Sequence, residues 1–258
     1  MVTLSPRDAS VLHRFEVFCA CEGITSSMVL HDSAVIEAFL AIGCSHLAPH
    51  SRGTYRSTLA RLGGVATTSE FPRSNAAPPY DQRELAALSS IVRHQSSPAR
   101  VMNATVLLAA MVGAGLRPRE VGQLRPRDLT RGHDEVRLAV RGPDPRMIAV
   151  LPPYDDALWH VASSHSGFLF RPGAGVRATK NLVGEICASL TRDPGDVALR
   201  GARARATFIC HHLASHTPLT QLCELAGLRD VESLLRYALH VEGAPKSKAD
   251  LRARVRAE

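Results

Sequence analysis

Residues 205–228, RATFICHHLASHTPLTQLCELAGL, decide the reading of this chain. Arg205 heads an apolar helix and is followed by a small residue, Thr207 and Phe208; a turn breaks the pattern, and ELAG closes the stretch at 224–227. Tyr237 lies ten residues beyond Gly227. Upstream, the apolar helix ARVMNATVLLAAMVGAG at 99–115 gives way to Leu116, Arg117 and Pro118. Guanidiniums supply forks that match phosphate oxygens, and Arg117 and Arg205 each stand at the head of a helical stretch. Pro118 is a favoured first helical residue, so helix N-terminal amides are also expected beside Arg117.

The rest of the chain frames this set. SPRDASVLHRFEVFCACEG reads as a helix with Ser5 as N-cap, Pro6 at the first position, Asp8 closing a capping box, an apolar face of Leu12, Phe15 and Cys19, and Gly23 as its stop. DSAVIEAFLAIG gives a second helix, and PHSRGTYRSTLARLGG a third with Tyr55, Leu59 and Leu62 as its stripe. Arg52 and Arg56 sit one turn apart on another face, either as solvated charge or as phosphate contacts. Residues 64–79 lack periodicity and read as a linker region, giving a helical domain at 1–66, a linker at 67–79 and a larger domain at 80–258. Asp81 with Glu84 caps the first helix of the second domain, EVRLAV and RMIAVLP form a small hairpin around RGPDP, and helices resume near 153–164 and 177–191. The fold class is therefore mostly α with a small β-hairpin or sheet.

Net charge is +7, and residues 1–79 carry six arginines against six acidic residues, so the whole surplus falls on 80–258. That placement favours a polyanionic partner. The only lysines are Lys180, Lys246 and Lys248. Six scattered cysteines without a CxxC pair point to reduced, buried thiols, and the start MVTLSPRDAS has no signal-peptide core, so a cytoplasmic protein without membrane contact is expected. His211, His212 and His216 with Cys210 and Cys223 lack compact four-ligand spacing, and no metal is expected. His240 is open to two roles, proton donor near Tyr237 or a packing histidine; Tyr237 itself is able to pack with Leu234 and Leu235; and the basic tail APKSKADLRARVRAE either docks or frays.

Taken together, GAGLRPREVGQL at 113–124, the hairpin, the box from Arg205 to ELAG and the register of Tyr237 resemble the tyrosine recombinases, the phage-integrase and Xer-like family, over nearly the whole chain. The resemblance implies a helical core-binding domain followed by a catalytic-type domain, double-stranded DNA as partner, and a site-specific recombinase or integrase working through a 3′-phosphotyrosyl intermediate without cofactor. It further implies assembly on DNA, up to a homo-tetramer or with a partner recombinase. Arg117, Arg205 and Tyr237 are carried over as catalytic, and Arg52, Arg56, Arg141, Arg146 and Arg203 are expected as DNA contacts. Three family groups are missing: the histidine three residues before the second arginine is Ala202, the histidine or tryptophan after ELAG is Leu228, and RGPDPR has no lysine. An arginine stays protonated and makes a poor general acid. Cleavage is thus expected to be slow or impaired, with a non-cutting DNA-binding descendant as the alternative.

Overall fold

Short polar side chains start four of the helices of the structure, a computed structural model that describes residues 4–24, 29–65, 76–170, 181–244 and 247–257. Ser5 Oγ accepts from the Asp8 amide at 3.1 Å, Asp32 Oδ1 from the Ala34 amide at 2.8 Å, and Ser97 Oγ from the Arg100 amide at 3.4 Å. Asp81 and Glu84 close a reciprocal capping box. Each such bond satisfies a donor that the first helical turn leaves unpaired. The chain divides into two units, Met1–Arg73 and Ser74–Glu258.

In the first unit, α1 (Pro6–Cys21), α2 (Ser33–Ala38) and α3 (Pro49–Gly63) enclose Val11, Phe15, Phe18, Ile36, Phe39 and Leu59. Phe15 and Phe39 meet edge to face with centroids 5.4 Å apart, the arrangement that aromatic quadrupoles prefer. The α1 stripe is displaced from the expected one: Val11 and Phe18 are buried and Leu12 lies at the margin. Cys21 is exposed, whereas the other five cysteines are buried.

The second unit begins with α4 (Gln82–Arg93) and α5 (Pro98–Leu108), the latter running into a π-turn at Ala109–Gly113 and then α6 (Pro118–Val121). Strands β1 (Leu129–Arg131), β2 (Val136–Val140) and β3 (Arg146–Ala149) follow, and then α7 (Tyr154–Ser164), α8 (Leu182–Ala188), α9 (Gly201–Ala214), α10 (Leu219–Ala226), α11 (Leu235–Ala238) and α12 (Lys248–Ala257). The expected hairpin is thus two strands of a three-stranded antiparallel sheet with β2 in the centre. Val136, Leu138 and Val140 alternate into the core, and Leu138 pairs with Ile148. Strand β1 escaped the sequence reading because only Leu129 of its three residues is buried.

Gly115 fixes the packing of α5 on α9. It holds φ at +60°, and a Cβ there would lie 2.4 Å from Phe208 Cδ1, so only glycine lets the α5 exit reach the α9 face. Residues 76–79, read as linker, belong to the second unit: the Pro78 and Pro79 carbonyls accept from Arg203 at 3.0 and 3.1 Å. The basic tail forms α12, which buries Leu251 and pairs Lys248 with Glu232 at 2.7 Å. Lys180, Lys246 and the start of the helix expected at 177 lie outside the described residues. No helix among the described residues is long and apolar enough to cross a membrane.

Candidate functional site

Helix α10 ends at Gly227, whose φ of +59° turns the chain away and leaves the last carbonyls without helical partners. Three arginines take them in sequence. Arg146 Nε donates to the Leu225 carbonyl at 2.9 Å, Arg205 Nη2 to Ala226 and Arg117 Nη2 to Gly227. The negative end of the helix dipole favours cations here, which is why three guanidiniums from β3, α9 and the α5–α6 junction converge on one turn. Gly227 also keeps the turn open: a Cβ would stand 3.1 Å from Arg146 Nη1 and 3.5 Å from Arg117 Nη2.

Carboxylates hold the cluster from the other side. Glu120 accepts from Arg146 Nη1 and Nη2, both at 3.0 Å, and from the Arg117 amide at 2.8 Å. The Arg146 and Glu120 side chains are 6% and 7% exposed. Burial alone would raise the Glu120 pKa, but the Arg146 hydrogen bonds, the Arg117 amide and the charges of both arginines hold it below the ordinary carboxylate range. Asp144 accepts from Arg117 Nη1 at 2.6 Å.

Arg205 donates Nη1 to the Gly115 carbonyl at 2.7 Å, tying the second arginine to the same Gly-Leu exit that presents the first. Burial lowers the Arg205 pKa; the Tyr237 phenol opposes that shift while the Arg117 charge adds to it, and Glu120 and Arg146 act in the same opposed way. Tyr237 is 8% exposed on α11, and its carbonyl accepts from Cys210 Sγ at 3.7 Å and from the His240 amide at 2.9 Å. Arg117 and Arg205 thus meet on the α10 turn, and Tyr237 lies on α11, the next helix, which packs on α9.

The remaining expectations separate. The Arg117 amide faces Glu120 and α6 is a single turn, so the expected N-terminal anion seat of a helix is filled from within the chain. Arg146, expected as a DNA contact, is a buried partner of Glu120. Arg203, expected likewise, donates to Pro78, Pro79 and Glu84 and stacks 4.1 Å over Tyr80, so its fork is held inside the unit. Arg141 pairs with the buried Asp128 yet keeps more than half of its side chain exposed. Arg56 is paired with Glu37 across α3 and α2, and Arg52 lies half-buried one turn before it. His240 Nε2 lies 3.1 Å from the Ala76 carbonyl. His212 packs on Phe208 and meets Thr217 Oγ1 at 3.0 Å, and burial followed by the nearby His211 pushes its pKa down to about 4.

No family model and no curated protein matches this sequence. Solved structures do. One is a XerH site-specific recombinase bound to a palindromic difH substrate in a post-cleavage complex, with a TM-score of 0.64 and 15% identity over 96% of this chain and 77% of that one. Another is a Tn1549 transposon integrase in complex with transposon right end DNA, with a TM-score of 0.59 and 13% identity over 99% of this chain and 94% of that one. The fold is that of the tyrosine recombinases.

Within this recombinase fold the missing groups have definite places. Ala202 is exposed in the first turn of α9, one turn ahead of Arg205. Leu228 follows the Gly227 turn and lines, with Asp144, Arg146, Met147 and Arg229, a groove of about 540 Å³ beside the arginine cluster. Sequence reading missed Glu120 and Asp144. Glu120 carried a signal, since it stands three residues after Arg117 at capping-box spacing; Asp144 carried only its position between two prolines.

Proposed function

We propose that this protein is a DNA-binding site-specific recombinase or integrase in which Tyr237 forms a 3′-phosphotyrosyl link to DNA, and that it cuts slowly. The observation that carries the reading is the convergence of Arg117 and Arg205 on the α10 turn within electrostatic reach of Tyr237. In the reaction the Tyr237 oxygen bonds to phosphorus, the bond from phosphorus to the 5′ oxygen breaks, and the proton lost by the phenol is balanced by one gained at the leaving 5′-hydroxyl. Both guanidiniums stabilise the charge on the non-bridging oxygens. The DNA-bound states of the XerH and Tn1549 structures support duplex DNA as the partner, and assembly of four protomers on two sites would follow from strand exchange.

The proton steps are the weak part. Each absent proton-transfer group lowers a rate by roughly 10²- to 10⁴-fold, and positions 202 and 228 carry Ala and Leu. A non-cutting DNA-binding accessory is favoured by one observation in particular: the turn expected to bring a lysine brings the Asp144 carboxylate instead. Peptide mapping of protein trapped on duplex DNA separates the two readings. A phosphotyrosyl peptide containing residue 237 is expected; salt-sensitive binding with no covalent product at that residue would leave the accessory reading.

A further inference from the structure

Residues 141–146, RGPDPR, join β2 to β3 through a turn stiffer than its length suggests. Pro143 and Pro145 each have a fixed φ, Pro145 restricts Asp144 to extended backbone, and Gly142 supplies the φ of +115° that reverses the chain. The turn is pinned from below as well, because the Asp144 carbonyl accepts from Arg146 Nη1 at 3.1 Å. Its carboxylate is thereby aimed. Oδ2 accepts from Arg117 Nη1 at 2.6 Å and from Arg119 Nη2 at 3.3 Å. The Arg117 side chain is 25% exposed and that of Asp144 32%, so the contact faces solvent, unlike the Arg146–Glu120 pair beneath it.

Guanidinium forks accept carboxylate and phosphate oxygens by the same geometry. With Arg117 Nη2 on the Gly227 carbonyl and Nη1 on Asp144, a phosphate that takes both Nη groups of this fork competes with the Asp144 carboxylate for the Nη1 side. Gly227 is part of the α10 turn, whereas Asp144 is a partly exposed side chain. We propose that Asp144 is a tethered counter-anion: its carboxylate occupies the phosphate seat on Arg117 and Arg119 and must swing away before a DNA phosphate engages Arg117. This inference rests on the recombinase reading and adds a regulator to that same site. The seat is closed in free protein, non-specific phosphates compete against a built-in anion, and DNA that also engages the rest of the protein gains the advantage.

The test compares duplex-DNA affinity of wild type, Asp144→Asn and Asp134→Asn at one salt concentration, using the full chain. Asp134 is 90% exposed in the β1–β2 loop, so its amide variant removes the same charge without touching the seat. Asp144→Asn is expected to tighten binding about fivefold or more, the scale of a charge-assisted hydrogen bond discounted for solvent on one side, while Asp134→Asn moves it less than about twofold. The gain at Asp144 is expected to vanish in an Arg117→Gln background, which a loosened hairpin alone would not produce. Equal effects of the two amide variants, or a gain that survives Arg117→Gln, would overturn the counter-anion with the recombinase reading intact. Wild type without salt-sensitive duplex binding would overturn the reading itself.

Discussion

Arg146 and Glu120 show what a single buried residue pair contributes to the arginine cluster. Both side chains are almost fully buried, so removing one partner strands a charge, at a cost of about 3 to 5 kcal/mol. Arg146→Met is therefore expected to lower stability in urea by that order, and the double variant with Glu120→Leu by clearly less; equal losses would show that the pairing is unimportant. Acid acts on the same carboxylate. Because the folded Glu120 pKa lies below its unfolded value, its contribution is present above the ordinary carboxylate range and lost as pH falls through the depressed folded value. His212 acts earlier. Its folded pKa of about 4 lies below the ordinary 6.5, so the unfolded chain binds the proton first and stability falls between those values as pH drops, by up to about 1.4 kcal/mol per unit. His212→Gln should flatten that part of a pH–stability curve; an unchanged slope would refute the assignment. Arg117, Arg205 and Tyr237 could be singled out in the sequence because their register with GAGL and ELAG is local. The Asp144–Arg117 and Arg203–Glu84 pairs were not, because 27 and 119 residues separate the partners and only the folded chain joins them.

At the scale of elements, the site depends on where helices stop. Gly115 ends the α5 segment against Phe208, and Gly227 ends α10 against three guanidiniums. Gly115→Ala combines a left-handed backbone with a Cβ 2.4 Å from an aromatic carbon, and is expected to cost about 2 to 3 kcal/mol or more by denaturant titration. A neutral outcome would mean that the α5 exit is free to move. Helix α9 brings Arg205 inward while leaving Ala202 exposed one turn earlier. Restoring a proton-transfer group there, Ala202→His, is expected to raise the rate of covalent complex formation by roughly 10²-fold. No gain would place the missing acid–base function elsewhere. Helices α1, α4 and α5 were readable from caps and apolar periodicity, α3 from its apolar stripe and the start of α6 from Pro118, whereas the three-residue β1 carries too few buried positions for a period to register.

For the whole molecule, the charge distribution and the fold point the same way. The surplus of seven positive charges falls on residues 80–258, the part that holds the arginine cluster. Duplex binding is accordingly expected to weaken steeply with salt, log K falling by about 0.9 per phosphate contact for each unit of log salt; salt-independent binding would contradict a phosphate-led interface. The larger unit reaches back to residues 76–79 through the Arg203 contacts to the Pro78 and Pro79 carbonyls. The central claim is that Tyr237 attacks DNA at the arginine cluster. A nicked duplex carrying the DNA that flanks this gene, incubated with wild type and with Tyr237→Phe and run on a denaturing gel, tests it most directly. A slowly forming covalent protein–DNA band with wild type and none with Tyr237→Phe is the predicted result; no band with wild type, or the same band from Tyr237→Phe, would contradict it.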